Sequence, residues 1–96
     1  MADRLPMTPS DLIAPSLTHP GLARLLDEPT TTLAELRIDA IARLEIGLRI
    51  EDATGVDLLD EHEGWSTVAD VMACYAECSR RGALDALMAG EGEVVL

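Results

Sequence analysis

Apolar residues recur at helical spacing most clearly in the middle of the chain, over residues 40 to 54. Asp39 precedes this segment as an N-cap, and Gly55 follows it as a stop signal. The predicted helix carries two apolar stripes, one formed by Ile41, Leu44 and Leu48 and the other by Ile46, Ile50 and Ala53. Because a helix that packs on one core needs a single apolar stripe, the second stripe is available for another role.

One kinked helix or two short helices are predicted before this segment. Thr8 is the expected N-cap, with Pro9 at the first helical position and Asp11 in the first turn. The stretch His19-Pro20-Gly21 interrupts the pattern, and "LARLLDE" resumes it. The following "PTTTLAEL" is predicted to be a loop with a single turn.

After the central helix, the pattern predicts a short helical turn from Asp60 to Gly64 and a final helix capped by Ser66 or Thr67. The buried stripe of that helix is predicted to comprise Val68, Val71, Met72, Tyr75 and Cys78. Gly82 is expected to end or kink it, so that residues 83 to 96 form a short extension and a loose tail outside a core of about residues 8 to 82.

The length and composition indicate one all-α domain over residues 1 to 96. Hydrophobic residues make up 48% of the chain, yet Trp65 and Tyr75 are its only aromatic residues besides histidine. The core must therefore be aliphatic, which favours helices packed on helices.

The charge balance is strongly acidic, with 18 Asp and Glu against 7 basic residues and a net charge of -11. Such a surface repels nucleic acid and anionic membranes and favours partners with basic patches. No apolar run approaches the roughly 20 residues needed to span a bilayer, and the N-terminus lacks the apolar core of a signal peptide. We expect a soluble, cytoplasmic protein.

Residues able to support catalysis or metal binding are few. Cys74 and Cys78 lie four residues apart on the last predicted helix, where a mutual disulfide would be strained, so we expect buried thiols in a reducing compartment. His19 and His62 have no spacing that implies a nucleophile and its base, so an enzyme is not expected. The acidic "DLLDEHE" does not fit a calcium-loop pattern, and no structural metal is expected.

The stretch "LAELRIDAIARLEIGLRIEDATGVDL", followed by "STVADVMACYAE", resembles the acyl carrier proteins and the carrier domains of polyketide and non-ribosomal peptide synthases. In that family an Asp-Ser-Leu or Asp-Ser-Ile motif opens the second of four helices. The matching positions here are Asp39, Ile41, Glu45, Gly55 and the pair Thr67-Val68. Ala40 falls on the serine, and Arg37 replaces the glycine common just before the motif, which a loop with negative φ would tolerate.

The resemblance implies a four-helix bundle of acyl-carrier type that shuttles thioester-bound intermediates for polyketide, fatty-acid or related biosynthesis. In the family, the serine receives 4′-phosphopantetheine from coenzyme A through a transferase. Asp39 and position 40 are therefore the implied attachment site, but Ala40 has no oxygen and cannot be loaded. The implied partners are a phosphopantetheinyl transferase and acyl-transfer or synthase enzymes, with the chain a monomer on its own.

The partner-facing surface is predicted on the central helix. Glu45 and Asp52 flank the stripe of Ile41, Leu44 and Leu48, which gives an apolar anchor inside an acidic frame. Arg43 and Arg49 dilute the negative field and suggest selectivity among partners. The interior stripe is either a filled core or a space that opens for an acyl chain, with room beside Gly47 and Trp65 as a possible plug.

Three explanations of Ala40 stay open from the sequence. It is an experimenter's replacement of serine in a working carrier, a natural carrier-like chain that lost its arm, or simply a good helix former in an unrelated helical protein. The competing function is a non-carrier acidic adaptor or regulator that binds enzymes without a prosthetic group.

Overall fold

A computed structural model describes residues 6–58 and 60–94, with side chains through residue 88. The described residues are predominantly helical and form no strand, only a single antiparallel bridge between Thr32 and Thr67. Three α-helices and three 3₁₀ segments follow one another as α1 (Pro9–Ile13), η1 (Ala14–Ser16), η2 (Pro20–Asp27), α2 (Ala40–Thr54), η3 (Glu61–Gly64) and α3 (Val68–Val94). The all-α prediction is confirmed.

The N-terminal region forms two separate short helical stretches. Thr8 caps α1 with a capping box, in which its hydroxyl accepts the Asp11 N–H and the Asp11 carboxylate accepts the Thr8 N–H. The α-helix α1 continues directly into the 3₁₀ helix η1, which has fewer residues per turn. Residues 17 to 19 are not helical and separate η1 from η2. Of the two possibilities left by the sequence, two short helices is therefore the observed one.

The central helix α2 begins and ends where the sequence predicts. The Asp39 carboxylate accepts the Ala42 N–H at 2.8 Å, and Gly55 ends the helix with φ of 75°. A left-handed residue at this position is favourable for glycine because it has no Cβ. Both boundaries follow from local chemistry.

The last helix begins as predicted but is longer than predicted. Thr67 and Asp70 form a second capping box, and Asp70 also accepts the Ser66 N–H at 2.7 Å. Of the two outcomes expected at Gly82, the helix end is wrong, because α3 continues through Gly82 to Val94. Residues 83 to 94 are thus helical rather than a loose tail, and residues 95 and 96 lie outside the described residues.

The core lies around α2, which packs against α3, α1, η1 and η3. It is aliphatic apart from Trp65, as the composition predicts. Its buried apolar residues are Leu12, Ile13, Leu26, Leu33, Leu36, Ile38, Ala42, Ile46, Ile50, Val56, Leu58, Trp65, Val68, Val71 and Cys78. Met72 and Tyr75, expected in the same stripe of α3, are half-buried against this core.

The loop before α2 is held to the start of α3 by backbone hydrogen bonds. The Leu33 N–H donates to Ser66 O at 2.9 Å, and the Val68 N–H donates to Thr31 O at 2.9 Å. The Ala69 N–H donates to Pro29 O at 3.0 Å. These bonds fix the loop from which α2 starts.

Candidate functional site

The exposed N-terminus of α2 is the first part of the candidate site. Ala40 is the first residue of the helix and is exposed, directly after the Asp39 cap. The Asp39 carboxylate takes the Ala42 N–H, so the capping residue is held by the helix that it starts. A side chain at position 40 stands beside the free N–H groups and the positive end of the helix dipole, which favour an anionic group.

The turn before Asp39 adopts an unusual backbone conformation. Arg37 has φ of 60°, and it is the only non-glycine residue with positive φ among those described. The negative φ under which the loop would tolerate arginine is therefore not the one that this residue adopts. The Arg37 N–H donates to Ala34 O and the Ile38 N–H donates to Leu33 O, and these bonds close the turn and hold Arg37 in the left-handed region. The conformation costs an L-residue about 1–2 kcal/mol, and glycine would not bear that cost.

The two stripes of α2 face opposite environments. Ile46 and Ile50 are fully buried, whereas Ile41 is 70% exposed, Leu44 49% and Leu48 54%. Three large apolar side chains on one exposed line are an uncommon arrangement on a small surface, and such groups mark contact sites. We call Ile41, Leu44 and Leu48 the docking stripe; its partner-facing role stays a prediction.

The carboxylates around the docking stripe differ in how they are held. Glu45 is exposed, and its Oε1 accepts a hydrogen bond of 2.8 Å from the Ser16 hydroxyl of η1. Asp52 is exposed near the other end and borders a shallow depression that Leu48 also lines. Glu51 points toward the core side, where it accepts the Leu58 N–H at 2.8 Å. The acidic frame of the stripe therefore consists of Glu45, fixed from η1, and the exposed Asp52.

The two arginines of α2 act mainly within the fold. Arg43 donates from one guanidinium nitrogen to His62 O at 3.1 Å and to Trp65 O at 2.5 Å. Arg49 donates to Leu12 O at 2.7 Å. The sequence suggested that these arginines select partners and did not reveal their hydrogen bonds within the fold. The acceptors are backbone carbonyls 19 to 37 residues away in sequence, so no local pattern indicates them. The arginines join α2 to η3 and to α1.

The space beside Gly47 is filled by the segment around η3. A Cβ on Gly47 would lie 3.5 Å from Leu58 Cδ1 and 3.6 Å from His62 Cβ. Trp65 is 5% exposed and lies within the core, with the His62 ring edge-on to it at 6.4 Å. A Cβ would therefore be in ordinary van der Waals contact with Leu58 and His62, and these side chains bound the predicted room at Gly47.

The two cysteines of α3 are weakly acidic thiols. Burial raises the pKa of Cys74 to about 12, with Cys78 and the hydrogen bond to Glu61 adding to the effect. Burial also raises the pKa of Cys78. Both are free thiols, and at neutral pH they remain protonated and poorly nucleophilic. Within the described part of the chain, no three His, Cys, Asp or Glu side chains converge to hold a metal ion.

Sequence reasoning missed a second exposed apolar group, on the far part of α3. Leu84, Leu87 and Met88 are 57%, 61% and 67% exposed. Their spacing of three and four residues was the signal that could have revealed them, but the expected helix end at Gly82 concealed it.

No family model, curated protein or solved structure matches this chain. Across the described residues, no helix combines the length and the apolar character needed to cross a bilayer.

Proposed function

We propose that this chain is a carrier-type protein of polyketide, fatty-acid or related biosynthesis, which docks to its enzymes through the exposed face of α2. The proposal rests on the order in which three features follow one another along the exposed face of α2. An exposed position 40 follows the Asp39 cap directly and precedes the docking stripe of Ile41, Leu44 and Leu48. An attachment point would thus lie next to the surface that binds the attaching enzyme.

The backbone before α2 supports the proposal independently. Carrier proteins commonly have glycine at the position of Arg37, and here this residue has positive φ, which favours glycine. The order of short N-terminal helices, a capped α2, the short η3 and α3 is also compatible with a four-helix bundle of carrier type.

The electrostatics favour an enzyme with a basic docking patch. The net charge of -11 attracts such a patch over a distance, while Glu45 and Asp52 would fix its register beside the stripe. The apolar stripe supplies the desolvated centre that gives most of the affinity in a small interface. A phosphopantetheinyl transferase and acyl-transfer or synthase enzymes are the partners of this kind.

The residue at position 40 does not fit the prosthetic group, because the Ala40 methyl offers no oxygen for a phosphodiester. In a serine form, 4′-phosphopantetheine would supply a thiol on which acyl groups travel as thioesters. This chain can dock but cannot be loaded at position 40. The alanine itself favours the second candidate, an adaptor or regulator that uses the same docking stripe without cargo.

The test is to replace Ala40 with serine and measure loading. Ala40→Ser should gain one phosphopantetheine by intact-protein mass spectrometry when incubated with coenzyme A, magnesium and a broad-specificity transferase. Serine at an exposed helical position costs about 0.5 kcal/mol or less relative to alanine, so the fold should persist. The chain with Ala40 should gain nothing.

The matched control is Ala69→Ser, because Ala69 is also an exposed alanine in the first turn of a helix but lies on α3. It should remain unmodified, since no docking stripe adjoins it. A folded Ala40→Ser variant that stays unmodified with several transferases would favour the adaptor. If Ala69→Ser were modified as fully as Ala40→Ser, the transferase would not be recognising the exposed face of α2.

A further inference from the structure

One side-chain hydrogen bond ties the docking face of α2 to the N-terminal helical segment. The Ser16 hydroxyl, in η1, donates to Glu45 Oε1 at 2.8 Å, and the two residues are 29 positions apart in sequence. Glu45 follows Ile41 by one helical turn and directly follows Leu44, so its carboxylate borders the docking stripe. A residue outside α2 therefore contacts one of the two carboxylates that frame the stripe.

The backbone that carries Ser16 is fixed against α2. Leu12 and Ile13, which end α1, are fully buried in the core. The Arg49 guanidinium donates to the Leu12 carbonyl at 2.7 Å, which adds a polar contact between α1 and α2. η1 follows α1 without a break and itself contacts α2. The Ser16 hydroxyl is therefore a donor at a defined place beside α2.

The position of Arg49 leaves the charge of Glu45 uncompensated. Arg49 follows Glu45 by four residues, a spacing at which a helical glutamate and a basic residue commonly pair. Its guanidinium bonds to Leu12 instead, and no ion pair joins Arg49 to Glu45 in the described part of the chain. Because the hydroxyl that holds Glu45 is neutral, the exposed carboxylate keeps its negative charge for a basic group.

A carboxylate that is oriented before binding favours association. Glutamate is a long side chain with many rotamers, and ordering it during contact costs conformational entropy. The hydrogen bond from Ser16 restricts Glu45 in the free protein, so less of that entropy is lost when a partner binds. Fixing the carboxylate also fixes the place at which a basic group can meet it.

We propose that Ser16 is a positioning residue for partner binding, which holds Glu45 in the orientation that meets a basic group of the docking enzyme. This inference rests on the proposed function, because it requires that the exposed face of α2 bind a partner. It makes η1 a working part of the docking surface, although Ser16 itself need not touch the partner.

The first experiment measures the orientation of Glu45 in the protein alone. Vicinal scalar couplings in NMR report whether its side-chain torsions populate one rotamer or an average. We expect one dominant rotamer in the parent chain and averaging in Ser16→Ala, whereas Ser16→Thr keeps the hydroxyl and the rotamer. Ser10→Ala, which changes an exposed serine of α1, should leave Glu45 as in the parent. An averaged Glu45 in the parent, or a Glu45 that Ser16→Ala does not change, would overturn the proposal.

The second experiment measures binding of a phosphopantetheinyl transferase by calorimetry. Ser16→Ala should weaken binding about two- to fivefold, the range of one modest hydrogen bond, and Ser16→Thr should restore it. In a Glu45→Ala background Ser16→Ala should have no further effect, because the hydroxyl then has no carboxylate to hold. In an Asp52→Ala background it should keep its full effect, because Asp52 lies near the other end of the stripe. Circular dichroism checks that each variant is folded.

The two experiments separate this inference from the proposed function. If Glu45→Ala weakens binding and Ser16→Ala does not, the docking face stands and the positioning role of Ser16 is overturned. The same conclusion follows if Ser16→Ala weakens binding equally with and without the Glu45 side chain. If the rotamer of Glu45 depends on Ser16 but Glu45→Ala binds like the parent, the proposed docking face is wrong, and the role of Ser16 in docking fails with it.

Discussion

Gly82 of α3 lies directly against the carbonyl oxygen of Thr54 at the end of α2. A methyl group on Gly82 would be 2.3 Å from that oxygen, which is far inside van der Waals contact. The glycine therefore serves the close approach of two helices and does not end the one that contains it. Residues 83 to 88, which follow this glycine on α3, are all exposed.

Gly82→Ala should destabilise the fold although alanine is the better helix former. The helical gain is about 1 kcal/mol, but the clash is with backbone and forces α3 to shift, at a typical cost of about 1–3 kcal/mol. Urea unfolding followed by Trp65 fluorescence measures the difference. Gly47→Ala is the matched control, because its Cβ would meet neighbours at 3.5 Å and 3.6 Å. It should be neutral or stabilising, and a Gly82→Ala chain as stable as Gly47→Ala would contradict the close approach.

Arg37→Gly should be more stable than Arg37→Ala. Glycine adopts φ of 60° without strain. Replacement by alanine removes the long arginine side chain but leaves the backbone strain in place. After allowing for the greater freedom of glycine in the unfolded chain, the expected difference is about 0.5–1 kcal/mol in thermal or urea unfolding. The exposed helical residue Arg80 supplies the comparison, because there glycine should be the less stable of the two by about 1 kcal/mol. The same order of stability at both positions would argue against a left-handed Arg37.

The sequence predicted those elements whose boundaries depend on nearby residues. The cap at Asp39, the stop at Gly55 and the capping box of Thr8 all join groups within four residues of one another. Periodicity also separated the buried Ile46 and Ile50 from the exposed docking stripe.

Features that depend on distant partners could not be predicted in this way. The structural role of Gly82 depends on its contact with Thr54, which is 28 residues away in sequence. No local pattern distinguishes a glycine that allows close helix packing from one that ends a helix. The roles of Arg43 and Arg49 depend on carbonyls of η3 and α1. The length of α3 was likewise hidden, because its far half follows a glycine and has no described packing.

The thiol of Cys74 gives the fold a specific dependence on alkaline pH. Its pKa is raised from 9.0 to about 12, chiefly by burial, so the folded state holds the proton more tightly than the unfolded state does. The resulting stability is present below pH 9 and is lost as the pH rises toward 12. The chain contains no lysine, so no lysine ammonium titrates in this window.

The measurement is urea unfolding at a series of pH values in this window for the parent chain and Cys74→Ser. The parent should lose stability more steeply, and alkylation of its folded form should be slow at pH 8 but fast in urea. Serine keeps a hydroxyl that can donate to Glu61, so it removes the titration with little change in packing. Parallel pH profiles for the two chains would show that Cys74 is not the group responsible.

The docking stripe predicts how this chain binds a phosphopantetheinyl transferase. Because Ala40 cannot be modified, binding can be measured at equilibrium by calorimetry even with coenzyme A present. Glu45→Arg/Asp52→Arg should weaken binding, with each exposed charge contributing about 0.2–1 kcal/mol, and added salt should reduce the difference. Ile41→Ala should cost more than either single charge if Ile41 lies at the centre of the contact, since it is the most exposed residue of the stripe.

Asp27→Arg/Glu28→Arg is the control for this experiment, because it changes the net charge by the same amount at the exposed end of η2. General attraction to a basic enzyme would weaken in both double variants alike. A larger loss for the Glu45 and Asp52 pair would place the contact on α2, where the carboxylates frame an apolar centre. Equal losses in the two pairs, together with an Ile41→Ala chain that binds like the parent, would mean that the transferase senses only net charge and that the docking stripe is not its contact.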